Sequence, residues 1–276
     1  IHSLDITQAF IQSEWQYLPE GVPSRIFVLP PDGVDEEKGY VYEVCKPLYG
    51  IPNSARALHF TLDNFMKSQG FVTAGFEDSV WVCNPNSKYA HQIIVSAHID
   101  DLLVSCEHEG TLTRFKQAFL KRFDGTDDGP LSEYLGCEVI RHANGNITLR
   151  QSAYAERILR TYQAWDFNPV KTPLEPGKRL SKRDSPSVVD PTLHRNYRGF
   201  VGHLSFLVQM TRPDLAFAFS ELSKFIQAPG INHWKSVQRT LQYLQGTFDQ
   251  GITYGDPGRS KRNVLEGWVD SDFAAD

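Results

Sequence analysis

The chain reads as an α+β protein: an antiparallel sheet with packed helices first, a mostly helical region after residue 151, and a return to strand pattern from Gly251. Three observations carry this reading. Short apolar runs bounded by Pro- and Gly-containing turns fill the first hundred residues. Apolar residues at helical spacing mark Ser54–Gln69 and Thr111–Phe123. Asn144-Gly145, a favoured hairpin dipeptide, separates two further short runs.

In chain order, strands are expected at Ser3–Ile6, Arg25–Leu29, Tyr40–Cys45 and Ser79–Cys83. The helix from Ser54 puts Leu58, Leu62, Phe65 and Met66 on one face, and Gly70 stops it. His91–Ser105 holds two strongly apolar stretches interrupted by Asp100-Asp101, a pattern that a hairpin turning at the two aspartates would explain. The next helix aligns Leu112, Phe115, Phe119 and Phe123. Cys137–Ile140 and Ile147–Arg150 should pair across a type I′ turn.

Beyond this hairpin, Ser152 is placed to cap a helix carrying Tyr154, Ile158, Leu159 and Tyr162. A polar, proline-rich loop from about Asn168 to Pro191 leads to helices near Tyr197–Gln209, Asp214–Ile226 and His233–Gln245. Gly251–Tyr254 and Val264–Val269 then read as strands opening a new sheet. The expected organisation is 1–150, 151–248 and 249–276.

Composition narrows the class. With 41% apolar residues and a mean hydropathy of −0.37, the 276 residues suit a globular protein rather than a disordered or membrane one. No run approaches the ~20 apolar residues of a spanning helix, and no signal-peptide pattern opens the chain. An intracellular location follows as the expectation, with cytoplasm and nucleus both open. Cys45, Cys83, Cys106 and Cys137 lack CxxC spacing and read as reduced thiols. The net charge of −5 is carried within residues 1–50. Bases cluster at Lys178-Arg179, Lys182-Arg183 and Arg259, Lys261, Arg262, as they do along a phosphate-binding surface or on any solvated loop.

Asp5 ends one short strand and Asp100-Asp101 lies between two others. On their own, paired aspartates are ordinary turn residues. They are also what nucleotidyl transfer needs: two hard divalent ions ~3.5–4 Å apart, held by carboxylate oxygens. Neighbouring like charges repel unless a cation neutralises them.

The surrounding residues resemble the reverse transcriptase of Ty1/copia-type retrotransposons over nearly the whole chain. Leu4-Asp5-Ile6-Thr7-Gln8-Ala9-Phe10 is similar to its first palm motif, and Lys46-Pro47-Leu48-Tyr49-Gly50-Ile51-Pro52-Asn53-Ser54-Ala55-Arg56 to its template loop and helix. His98-Ile99-Asp100-Asp101-Leu102-Leu103 resembles its catalytic hairpin, with His98 where Tyr is usual. Tyr134-Leu135-Gly136-Cys137-Glu138-Val139 resembles its primer-grip hairpin, followed by Gln151 and Tyr154 in the thumb. Tyr197-Arg198, Val201-Gly202, Thr211-Arg212-Pro213-Asp214, His233-Trp234 and Leu241-Gln242-Tyr243-Leu244-Gln245-Gly246-Thr247 match the segment leading to ribonuclease H. Asp270, in Gly267-Trp268-Val269-Asp270, stands where that domain has its first carboxylate.

The resemblance implies a polymerase palm over 1–150, a helical thumb and connection over 151–248, and the start of a ribonuclease H-like sheet over 249–276. It implies Asp5, Asp100 and Asp101 as catalytic metal ligands, Phe10 as steric gate against a ribose 2′-hydroxyl, and Gly50, Asn53 and Arg56 as template and nucleotide floor. His98, Leu135 and Gly136 would pack the primer end. Two Mg2+ ions, or Mn2+ in their place, would serve RNA-directed DNA synthesis from a DNA primer, an RNA template and deoxynucleoside triphosphates, with no membrane partner. Association with other retrotransposon polyprotein products is also implied. The family's basic triphosphate clamp is expected upstream of Ile1. The alternative is a retroelement remnant without catalysis that at most binds nucleic acid.

Overall fold

The computed structural model describes residues 1–15, 25–31, 33, 39–85 and 88–255. It is mixed α/β, with antiparallel sheets and several helices, and divides into two compact units, Ile1–Leu131 and Ser132–Asp276. The division falls ahead of the Asn144-Gly145 hairpin, so that hairpin belongs with the helices that follow it. No helix among the described residues is long and apolar enough to cross a membrane. All four cysteines are free.

In chain order the first unit contains β1 (His2–Ile6), β2 (Phe27–Val28), β3 (Tyr42–Glu43), α1 (Ser54–Ser68), β4 (Val72–Thr73), β5 (Val80–Cys83), β6 (Ile93–His98), β7 (Asp101–Ser105), α2 (Glu109–Arg122) and β8 (Gly125–Pro130). Six strands form one sheet in the order β4-β5-β6-β7-β1-β8, every neighbouring pair antiparallel. β2 and β3 make a separate ribbon.

Alternation along the strands decides which face is covered. Leu4, Ile6, Leu102 and Val104 are buried in one cluster with Leu58, Leu62, Phe65 and Met66 of α1 and Leu112, Phe115 and Phe119 of α2. The two helices therefore pack on one face, and Asp5 and Asp101, alternating with those residues, belong to the other. α2 is capped by His108, whose Nδ1 accepts from Thr111 N at 3.3 Å.

The second unit contains β9 (Glu133–Tyr134), β10 (Cys137–Arg141), β11 (Ile147–Arg150), α3 (Ser152–Thr161), α4 (Pro191–Met210), α5 (Ala216–Ser223), α6 (Ile231–Gln245) and β12 (Gly251–Tyr254). Its helices bury Ile158, Leu159, Tyr197, Phe200, Leu204, Leu241 and Leu244 together.

Three local expectations change. Gly251–Tyr254 does not open a new sheet: it adds to the free edge of β11, giving the order β12-β11-β10-β9. The hairpin turn is not type I′. Gly145 has φ +86° but Asn144 has no positive φ, and Gly145 N donates to His142 O at 2.9 Å. That is a type I turn closed by a left-handed glycine. Ser152 does not cap α3 either: Gln151 occupies the cap position, and Ala153 N donates instead to Glu138 Oε1 of β10 at 3.1 Å. A carboxylate offered to exposed helix N–H groups does the same work with a full charge. Val264–Val269 and Asp270 lie outside the described residues.

Candidate active site

The register of the first sheet builds the site. His98 on β6 lies opposite Asp101 on β7, Asp101 opposite Asp5 on β1, and Asp5 opposite Thr126 on β8. Directly opposed residues in an antiparallel pair put their side chains on the same face, within reach of each other. A row His98–Asp101–Asp5–Thr126 thus crosses four strands on the face away from the helices.

Asp100 joins the row from the turn. Ile99 ahead of it takes a left-handed φ of +59°, uncommon for a β-branched residue and an indication of a tightly constrained hairpin. Asp100 O accepts from Ile6 N at 3.2 Å, tying the turn to β1 beside Asp5.

The carboxylates act on one another electrostatically. Asp5 and Asp101 are both held above the ordinary carboxylate range, by burial first and then by Asp100; Asp101 adds to the effect on Asp5. His98 acts on Asp101 in the opposite sense. Asp128 raises both. As the side chains stand, no group of three or more His, Cys, Asp or Glu among the described residues is gathered to hold a metal ion. The donor set is nonetheless the hard-oxygen type that Mg2+ or Mn2+ favours.

Asp128 escaped the sequence reading. Between Ser3 and Leu4 the register with β8 slips: Ser3 faces Gly129 and Leu4 faces Asp127, which leaves Asp128 as the extra residue of a bulge. Thr126 Oγ1 donates to Asp128 Oδ1 at 3.0 Å. Asp127 turns toward the helices, where Lys116 Nζ of α2 meets its Oδ1 at 2.6 Å and His2 Nδ1 at 2.7 Å. Gly125 starts this strand because a Cβ there would lie 2.2 Å from Asp5 O. The only sequence signal for this strand is Gly125-Thr126-Asp127-Asp128-Gly129, which contains one β-former.

The remaining expected residues fall as follows. Phe10 is almost buried, its ring centroid 4.6 Å from that of Tyr49. Tyr49 precedes Gly50, which takes φ +87° in the loop before α1. Ser54 staples that loop, donating to Leu48 O at 2.6 Å and accepting from Leu48 N at 3.0 Å. Asn53 is the N-cap residue of α1 without a side-chain cap bond, and Arg56 lies over the Phe60 ring at 5.9 Å. α1 and β5 also border a cleft of about 260 Å³ beside His98 and Ile99. Leu135 and Gly136, with φ +50° and +75°, form the turn between β9 and β10 in the second unit. Asp270 is outside the described residues.

Residues 1–176 match the family model described as reverse transcriptase (RNA-dependent DNA polymerase). The chain belongs to this family. Its relatives place it among the Ty1/copia-type sequences. It is 30% identical over 284 residues to the retrovirus-related Pol polyprotein from transposon TNT 1-94 of Nicotiana tabacum, a match that covers 100% of this chain and 20% of that one. To the Pol polyprotein from transposon RE1 of Arabidopsis thaliana it is 30% identical over 280 residues, covering 100% and 18%. To the putative transposon Ty5-1 protein of Saccharomyces cerevisiae it is 28% identical over 253 residues, covering 91% and 78%. The chain therefore spans about a fifth of the length of the two Pol polyproteins.

Proposed function

We propose that this reverse transcriptase chain carries the nucleotidyl-transfer site of an RNA-directed DNA polymerase, with Asp5, Asp100 and Asp101 as its metal-binding carboxylates. The observation that carries the reading is the pairing of Asp5 with Asp101 across adjacent strands, with Asp100 fixed beside them by the Ile6 N–H. In this reading the first unit is the palm, the β9–β10 hairpin the primer grip, the following helices the thumb and connection, and Asp270 the first carboxylate of a ribonuclease H-like domain.

Two bound Mg2+ ions, or Mn2+ in their place, would stabilise the attacking 3′-oxygen of the primer and the departing pyrophosphate. The chain's own residues supply the rest. Asp5 and Asp101 stand opposite each other on adjacent strands, so the sheet register sets their backbone positions relative to one another. Phe10, held against Tyr49, would close the space a ribose 2′-hydroxyl needs. Gly50, Asn53 and Arg56 would support the template and nucleotide, and His98 with Leu135 and Gly136 the primer end. RNA template, DNA primer and deoxynucleoside triphosphates are the implied partners, and the Pol polyprotein relatives point to association with other products of such an element.

A second reading, nucleic-acid binding without chemistry, takes its support from His98 standing where the family usually has Tyr. Primer extension on an RNA template with Mg2+ separates the two. Incorporation that Asp100→Asn abolishes supports the polymerase. Retained primer–template binding with no incorporation by the unaltered chain supports the second reading.

A further inference from the structure

Helix α4 carries two glycines in its interior, and only one is explained by packing. At Gly199 a Cβ would lie 3.1 Å from Tyr162 Oη, a tight approach that a larger residue could make only if the Tyr162 ring gave way. At Gly202 a Cβ would meet nothing within 4 Å among the described residues. Glycine is the least favourable residue of a helix interior after proline, so its place at 202 calls for another reason.

Gly202 lines a cleft of about 430 Å³ beside α4 and α5. One turn before it on the same face is Arg198, and one turn before that His194. Neither side chain has a hydrogen-bond or ion-pair partner among the described residues. Val201, Phe219 and Ile226 give the cleft apolar and aromatic wall. Ser205 and Gln227 add a hydroxyl and an amide, able to donate and accept.

Charge selects the occupant. The second unit holds 18 Lys and Arg against 15 Asp and Glu, whereas the first holds 10 against 18. The net negative charge of the chain thus conceals a basic unit, and the cleft's guanidinium, Arg198, lies in it. A guanidinium with an imidazole donor one helical turn before it, an aromatic wall and edge-reading polar groups together suit a phosphate joined to a flat heteroaromatic base. An acidic peptide would satisfy Arg198 but, without an aromatic side chain of its own, leave Phe219 with no ring to stack on.

We propose that this cleft binds one nucleotide of an unpaired nucleic-acid strand, with the phosphate on Arg198 and His194, the base against Phe219, and Gly202 keeping the space open. The proposal rests on the polymerase reading only for why a single strand would be at hand.

The test is fluorescence anisotropy of a labelled oligothymidylate with the full chain in EDTA, so that divalent ions play no part. Gly202→Leu fills the cleft while keeping the helix, and Arg198→Gln removes its cation. Arg195→Gln changes an exposed cation of the same helix that does not line the cleft. The first two should each weaken binding about tenfold or more, with unchanged circular dichroism and, for Gly202→Leu, an unchanged or higher urea midpoint. Arg195→Gln should bind like the unaltered chain. Unchanged binding by both cleft variants, an equal loss in Arg195→Gln, or displacement of the strand by an acidic phenylalanine-containing peptide but not by unlabelled strand, each overturns the proposal. No binding by the unaltered chain also overturns it, and primer extension by the same preparation would leave the polymerase reading standing. Cleft binding without extension overturns the polymerase reading alone.

Discussion

Asp5 and Asp101 face each other across β1 and β7, and each carboxyl is held above its ordinary range, by burial first and then by Asp100. A sheet that opposes two carboxylates on one face, with a third at the adjoining turn, loses stability by doing so. Such a loss agrees with the proposal that these carboxylates serve a cation rather than the fold.

The first prediction follows from the sign of the shift. A raised folded-state value means that ionisation is disfavoured in the folded chain, so the destabilisation is absent below the unfolded carboxylate range and sets in as pH rises through the folded value. Asp101→Asn should therefore stabilise the metal-free chain at neutral pH by a few tenths of a kcal/mol to about 1 kcal/mol, as expected for relieving opposed like charges. Urea denaturation in EDTA at neutral and at acid pH should show the gain at neutral pH and its disappearance in acid. An equal gain at both would contradict the account.

Lys116 provides the opposite case. It is 7% exposed and holds Asp127 below the usual carboxylate range, overcoming the burial that would raise it. A lowered carboxylate contributes stability above its unfolded value and loses it as pH falls through the folded one. Lys116→Met should cost about 1–3 kcal/mol at neutral pH, less than for a fully buried pair because the Asp127 side chain is 38% exposed. Thermal melts of variant and unaltered chain should converge in acid.

Gly125→Ala tests the bulged strand. With a Cβ at 2.2 Å from Asp5 O, β8 must move off β1, carrying Asp128 away from Asp5. Overpacking of this kind costs about 1–3 kcal/mol. Hydrogen exchange should show the loss of protection concentrated in β1 and β8, and a uniform loss across the unit would count against the local explanation.

Arg212 is the corresponding point in the second unit. It is 2% exposed, bonds Asp214 at 2.9 and 2.7 Å, and reaches Thr247 O at 2.8 Å and Thr247 Oγ1 at 2.7 Å. Its neighbour Thr211 donates to Gln151 Oε1 at 2.8 Å. The Gln151, Thr211-Arg212-Pro213-Asp214 and Thr247 segments, far apart in sequence, meet in one network. Arg212→Met should destabilise the chain by about 3 kcal/mol or more, and Arg212→Lys should recover little, since an ammonium cannot make the forked contact. Guanidinium denaturation of both variants measures this.

Much of this was legible in the sequence where one kind of signal dominated. Helical spacing of Leu58, Leu62, Phe65 and Met66 located α1, and apolar runs on either side of Asp100-Asp101 located the hairpin. What stayed hidden depended on register or on distant partners. β8 has almost no residue that favours strands and exists because β1 pairs with it, so Asp128 could not be assigned to the site. The cap of α3 comes from Glu138, across the hairpin, rather than from the local Ser152. The start of α4 lay inside a proline-rich stretch, where Asp190 caps the helix and Pro191 takes its first position.

Whether Asp5, Asp100 and Asp101 bind divalent ions together can be read by iron-directed cleavage. Fe2+ substituted for Mg2+ and supplied with ascorbate and peroxide cuts the backbone near where it is bound. Joint binding should give cuts in three separate segments, around Asp5, around Ile99–Asp101 and around Thr126–Asp128, suppressed by excess Mg2+ and lost in Asp101→Asn. Cleavage confined to other segments, or cuts at these three that persist unchanged in Asp101→Asn, would contradict it.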